Sequence, residues 1–231
     1  MEITLCLLTR NERECLEKIY PLIPAPSVEA GYDEIVAIDG GSTDGTVEFY
    51  RDRGVRVVGQ SRRGRGEAFL LAFRELRSDA YIFFSPDGNE DVADLPKFRK
   101  HLEMGADLVI ASRMMAGAVN EEDQHLLRPR KWANNAFNLL ANLGFRKEGP
   151  YITDSINGYR AITARAAGLL QLDASDYTIE YQMTMRALKR RLKVVEFPTT
   201  EGQRVAGASG APSISTGLKF LGRLWSEAGF R

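Results

Sequence analysis

Apolar and polar positions in the first half of the chain alternate between two periods. Ile3 to Leu8 is an apolar run of strand length, and Leu16, Ile19, Tyr20 and Ile23 then recur at helical spacing over Glu12 to Ile23. Glu34 to Ile38 predicts a second strand, ending at Asp39 and a glycine pair. A helix is expected over Thr43 to Arg53, with Ser42 or Thr43 as its N-cap. Val55 to Val58, Glu67 to Leu76 and Tyr81 to Phe84 repeat the strand–helix–strand rhythm, as do Leu95 to Met104 and Leu108 to Ala111. Such alternation predicts an α/β fold with a mainly parallel central sheet and helices on both faces. Ligands then bind beyond the carboxyl ends of the strands, so the residues just after each strand carry the most weight.

The second half is less regular. Pro129 to Phe145 predicts a helix with Trp132, Ala136, Leu139, Leu140 and Leu143 on one face. Ile156 to Ile162 reads as strand or loop, Asp176 to Arg190 as helix, and Val194 to Phe197 as a last strand. Glu201 to Ser213, rich in glycine and alanine, reads as a mobile loop. The final segment sets Ile214, Leu218, Leu221 and Trp225 on one helical face, with Lys219 and Arg223 elsewhere. This face and that of the Trp132 helix either pack on the domain or a second subunit, or lie on a bilayer surface. No repeat or linker divides the chain, which is expected to form one domain over residues 1–211, followed by an amphipathic helix over 212–231.

Composition adds little beyond this. Hydrophobic residues at 44% and charged residues at 27% suit a globular domain, and 231 residues can bury a substantial core. Thirty-one basic residues balance thirty-one acidic ones, so no global field would hold nucleic acid and any anion site must be local. Cys6 and Cys15 form no metal or redox spacing, which points to reduced thiols in the cytoplasm. No apolar run is long enough for a membrane-spanning helix, and the start reads as a strand rather than a signal peptide. A cytoplasmic protein, soluble or at a membrane face, is expected.

Four strand ends supply polar groups that this topology would bring together. Thr9-Arg10-Asn11-Glu12 opens the first helix. Asp39-Gly40-Gly41-Ser42-Thr43-Asp44-Gly45-Thr46 follows the second strand, where Asp39 either binds a ribose or base or serves the turn itself. Gly64-Arg65-Gly66 offers a cation and open backbone amides, or a solvated basic loop. Ser85-Pro86-Asp87-Gly88-Asn89-Glu90-Asp91 crowds hard oxygen ligands of the kind that suit Mg²⁺ or Mn²⁺. Glu90 and Asp91 read as acids at a helix N-terminus; Asp87 does not.

In order, Asn11-Glu12, Asp39 to Thr46, Gly64-Arg65-Gly66, Ser85-Pro86-Asp87 and Ala111-Ser112-Arg113 resemble family 2 glycosyltransferases of the GT-A, Rossmann-like fold. The later Asp154-Ser155-Ile156-Asn157-Gly158-Tyr159-Arg160 and Glu201-Gly202-Gln203-Arg204 resemble the dolichyl-phosphate mannose synthase and polyprenyl-phosphate branch. This resemblance covers nearly the whole chain. It implies inverting transfer of a sugar from a UDP- or GDP-linked donor to a polyprenyl phosphate at a membrane surface. Donor binding would fall to Thr9, Asn11, Glu12, Asp39, Gly41, Ser42, Gly64, Arg65, Gly66, Ser85, Pro86 and Arg204. Asp87 and Asn89 would hold Mg²⁺ or Mn²⁺, with Asp87, Asp154 and Arg113 catalytic. Arg113 and Arg130 would hold the acceptor phosphate, since arginine's planar fork suits phosphate oxygens.

Two positions depart from the family pattern: Gly40 stands where a second acid is common, and Ser85 where the Asp-x-Asp motif begins. A phosphate acceptor needs no strong base, consistent with the lack of a conspicuous histidine: His101 falls in a helix and His125 in a polar loop. A hydroxyl acceptor would need one, with Asp154 and then Glu180 as candidates. Transfer to a soluble phosphoglycerate or glycan, and a non-catalytic nucleotide-sugar or carbohydrate binding module, are the alternatives. A homo-oligomer is compatible with either.

Overall fold

The computed structural model describes residues 1–123, 127–205 and 213–229. His125, part of the Glu201–Ser213 loop and the boundary expected near residue 211 lie outside them.

Seven strands form one sheet in the order β3-β2-β1-β4-β6-β5-β7. They are β1 (Ile3–Thr9), β2 (Glu34–Asp39), β3 (Arg56–Gly59), β4 (Ala80–Phe84), β5 (Leu108–Ser112), β6 (Arg160–Thr163) and β7 (Val194–Pro198). All pairings are parallel except those of β6, which runs antiparallel between β4 and β5. The expected α/β architecture is present. The strands β1, β4 and β5 are buried throughout, and alternation along them divides the core in two. In β4, Tyr81 and Phe83 join one cluster while Ala80, Ile82 and Phe84 join the other.

The second cluster is covered by α1 (Arg13–Ile19), α2 (Thr46–Arg51) and α4 (Leu95–Glu103). The first lies under α3 (Arg65–Glu75), α5 (Pro129–Phe145), α6 (Ala164–Leu170), α7 (Ile179–Lys189) and α8 (Ser213–Gly229). Helices α1, α2 and α7 are shorter than the periodicity predicts. A 3₁₀ turn at Tyr20–Leu22, containing Pro21, ends α1 early. The start of α2 is set by Gly45 at φ 89° and by Asp44, whose Oδ1 accepts the Thr46 N–H at 3.1 Å, so neither Ser42 nor Thr43 is its cap.

The apolar stripes of α5 and α8 face outward, away from the core. Trp132, Leu139, Leu140 and Leu143 are exposed on α5, as are Leu218, Leu221 and Trp225 (85%) on α8. The inward side of α5 carries Asn138, Ala141, Asn142 and Phe145. Its asparagines are used: Asn142 exchanges two hydrogen bonds with the Ile152 backbone, and Asn138 Oδ1 accepts from Ser155 N at 2.8 Å. On its inner side α8 buries Phe220 and Glu227. The Glu227 carboxylate meets Arg186 of α7 at 2.8 and 2.9 Å and Gln182 at 2.7 Å. Among the described residues, no helix is long and apolar enough to cross a membrane.

Candidate active site

A cavity of about 1110 Å³ opens beyond the carboxyl ends of β1, β2, β3 and β4. Because β6 is reversed, it delivers the loop before it, Ile156 to Tyr159, to the same edge. Thr9, Asn11 and Glu12 line the cavity, as do Gly64, Arg65, Ser85, Asp87, Asn89, Arg113, Arg130 and Arg204. Asp39, Gly41, Ser42, Gly66, Pro86 and Asp154 do not line it.

The first two loops are stapled together. Asn11, at φ 55°, donates its N–H to Ser42 Oγ (2.9 Å) and accepts the Thr43 N–H on Oδ1 (2.8 Å). Glu12 N–H reaches Thr46 Oγ1 at 2.9 Å, and Arg13 N–H reaches Asp44 at 3.0 Å. Asp39 belongs to this staple: its Oδ2 accepts from Gly41 N and Ser42 N at 2.9 and 3.0 Å. Asp39, Gly41 and Ser42, expected to bind the donor, thus also hold one another in the turn. The glycines of the third loop are steric as well. A Cβ at Gly64 would lie 3.2 Å from the Ser175 carbonyl carbon, and one at Gly66 2.8 Å, so both let α3 start against the 174–175 backbone.

The turn after β4 gathers the acids. Asp87 Oδ1 accepts the Asn89 N–H at 3.1 Å, and its Oδ2 pairs with Arg204 Nη2. The segment carrying Arg204 is docked by Gly202 N to Asn89 O (2.8 Å) and Val205 N to Asp87 O (2.9 Å). Gly88, at φ 96°, permits this, since a Cβ there would meet Val205 Cγ2 at 2.7 Å. The Asn89 side-chain oxygen is buried with no partner. A buried orphan oxygen beside a buried carboxylate fits a hard divalent cation. Among the described residues no group of three or more His, Cys, Asp or Glu could complete such a site, so further ligands would have to come from a bound diphosphate.

The expectation that Glu90 is a helix-end acid is corrected by the structure. Asp91 does cap, accepting Ala93 N–H at 2.9 Å, but Glu90 faces the cavity and accepts Ser85 N–H at 2.7 Å. Burial, and then Asp87, push its carboxyl up to about 8. Burial also raises Glu12.

Further arginine–carboxylate pairs wall the cavity. Arg65 Nε pairs with Glu180 Oε1, and its Nη1 points to Ser85 Oγ at 3.4 Å. Gly158 leaves room for this guanidinium: a Cβ there would sit 2.9 Å from Arg65 Cζ and nearer still to Nη2. Arg160, fully buried and held by the carbonyls of Asn157, Glu180 and Ser155, fixes the same loop from behind; burial lowers its pKa to about 10. Arg113 takes Asp154 in a fork (2.8 and 3.1 Å) and Glu201 at 2.9 Å. Burial alone would lower its pKa, but these two carboxylates drive it above its usual range. Asp154, expected to be catalytic, is wholly buried with both oxygens on Arg113. Arg113 keeps two of its five N–H donors for the cavity. Arg130 is the freer cation, 49% exposed and paired at 3.0 Å with Glu121. Beside it Glu122 caps α5, accepting from Lys131 N at 2.9 Å.

The glycosyl transferase family 2 model matches residues 4–165. Glycosyltransferase AglJ of Haloferax volcanii is 31% identical over 207 residues, covering 88% of this chain and 64% of that protein. A dolichol-phosphate mannosyltransferase of Pyrococcus furiosus is 25% identical over 214 residues, covering 90% of this chain and 59% of that protein. The chain therefore spans less than two thirds of the length of either relative. Among solved structures, glucosyl-3-phosphoglycerate synthase of Mycobacterium tuberculosis, in complex with Mn²⁺, UDP and phosphoglyceric acid, matches with a TM-score of 0.72. At 22% identity, covering 100% of this chain and 79% of that one, it shares the fold.

Proposed function

The chain belongs to glycosyl transferase family 2, and from that premise we propose that it transfers a sugar from a nucleotide-diphosphate sugar to a polyprenyl phosphate. The observation that carries this reading is the continuity of the cavity. One end holds Thr9, Glu12, Asp87 and Asn89; the other is basic and apolar, with Arg130, Lys131, Phe137 and Phe220. A nucleoside diphosphate fits the first end, and a phosphate on an apolar chain fits the second. The similarity to the Pyrococcus furiosus dolichol-phosphate mannosyltransferase supports the same acceptor class. The outward apolar stripes of α5 and α8 flank the basic end, which suits delivery of a lipid at a membrane face.

Asp87 and Asn89 would hold a divalent cation, which when bound supplies positive charge to the leaving diphosphate. Arg204, now neutralised by Asp87, and Arg65 present further cations to the same diphosphate. The acceptor phosphate oxygen attacks the anomeric carbon from the side opposite the diphosphate, and the bond to the diphosphate oxygen breaks with its electron pair. The attacking oxygen is already anionic, so no side chain has to remove a proton. The engaged states of Asp154 and Glu180 agree with this. Arg130 and Lys131 orient the incoming phosphate once it displaces Glu121.

Labelled nucleotide sugars offered with a short-chain polyprenyl phosphate, a soluble hydroxyl acceptor or no acceptor test this. Sugar should appear on the lipid phosphate. Efficient transfer to the hydroxyl acceptor with the lipid ignored would refute the acceptor class, and binding without turnover on any acceptor would refute the enzyme.

A further inference from the structure

The donor end of the cavity extends past the stapled loops to Gln60, the first residue after β3. Its backbone N–H is fixed to Asp39 O at 2.8 Å, and its side-chain Nε2 donates to Gly64 O at 2.8 Å. Both ends of the residue are therefore held, and the amide is oriented. Its Oε1 accepts no hydrogen bond among the described residues. That oxygen stands over Gly40, where an added Cβ would meet it at 2.9 Å and Arg10 Cβ at 3.3 Å. Leu8, Ile38, Gly40 and Arg10 line the cavity beside it. Close by, the Asp39 carboxylate accepts the Gly41 and Ser42 amides on Oδ2.

We propose that Gln60 is the residue that reads the nucleobase, accepting a lactam N–H on Oε1 with Arg10 beside the flanking carbonyl. This rests on the nucleotide-sugar reading given above. A fixed acceptor selects a base that presents a ring N–H next to a carbonyl: uracil through N3–H or guanine through N1–H. Cytosine and adenine present an unprotonated ring nitrogen at the corresponding edge, which leaves two acceptors facing each other. Specificity at this end thus comes from an amide rather than a carboxylate, and Gly40 is the space that admits it.

The test is calorimetry with UDP, GDP, CDP and inorganic pyrophosphate, all with Mn²⁺ present, on the parent and two variants. Parent protein should bind UDP or GDP at least roughly tenfold more tightly than CDP, the weight of one hydrogen bond and one avoided clash. Gln60→Leu should bring the preferred nucleotide down to the CDP level while pyrophosphate affinity stays unchanged. Gln60→Glu keeps an acceptor but gives up the donor to Gly64, and should retain the preference. If Gln60→Leu keeps the preference, or if Gln60→Glu loses it as fully as Gln60→Leu does, Gln60 is a loop support and the inference fails alone. A parent that binds pyrophosphate and all nucleotides equally also overturns it. If the parent binds no nucleotide, the proposed function falls with it.

Discussion

Replacing Gly158 by alanine should unseat an arginine rather than merely crowd a loop. Gly158 does not adopt a positive φ, so alanine is acceptable to the backbone, and the obstacle is the guanidinium of Arg65, whose Cζ would lie 2.9 Å from the new Cβ. Arg65 must swing into the cavity, leaving the Glu180 carboxylate buried at 2% exposure without its partner. Breaking a buried ion pair costs about 3–5 kcal/mol. The lower end, about 3 kcal/mol, is expected because the Arg65 side chain is already 23% exposed and regains solvent as it moves. Urea unfolding of the parent, Gly158→Ala, Arg65→Met and the double variant measures this as a cycle. Each single change should cost about 3 kcal/mol, and the double no more than either, since the same pair is broken only once. If Gly158→Ala costs as much in the Arg65→Met background as it does in the parent, the glycine serves some other contact and the reasoning is wrong.

Two further outcomes follow from the acids around β4. Glu90, raised to about 8 in the folded protein from an ordinary 4.5, ionises more readily when unfolded, so stability falls as pH rises from about 4.5 and levels off above 8. Glu90→Gln should therefore match the parent near pH 4 and exceed it by on the order of 3–5 kcal/mol at pH 9 by chemical denaturation; equal stability at both values would contradict the raised carboxyl there. Mn²⁺ should tighten binding of a nucleoside diphosphate to the parent, and Asp87→Ala should remove that gain with the fold retained by circular dichroism; equal affinity with and without chelator in the parent would refute the cation site.

The strands and their order of appearance were legible because a sheet covered on both faces writes itself as short apolar runs, of which Tyr81-Ile82-Phe83-Phe84 is the clearest. The reversal of β6 was not, since four residues with period two carry no direction. Helical stripes were legible as stripes on α5 and α8, but not the side they take. Asn138 and Asn142 do the inward work by hydrogen bonding to the 152–155 backbone, a task invisible to hydrophobic patterning. At the site, the strand-end rule brought Asp87, Arg65 and Glu12 to the cavity, and applied to β3 it would also have found Gln60. It could not show which carboxylates are already hydrogen-bonded within the protein, as Asp39 is to its own turn and Asp154 is to Arg113. Glu90 erred the other way, because an acid near a helix start has an ordinary explanation until its burial is seen.

The attachment of α8 has a mechanical consequence. Its far end is clamped by the buried Glu227 on Arg186 and Gln182, and Phe220 is a bearing point partway along. Thr216 and Gly217, nearer its start, form part of the cavity wall. Between these points Arg223 meets Asp173 at 3.2 Å and Lys219 meets Asp176 at 3.4 Å, so the helix is a beam pinned at intervals along one side. Load applied to Leu218, Leu221 or Trp225, all on the outer side, is then shared among these pins and passed to α7 and the loop before it, and the cavity wall at Thr216 and Gly217 is as stiff as the pins nearest to it.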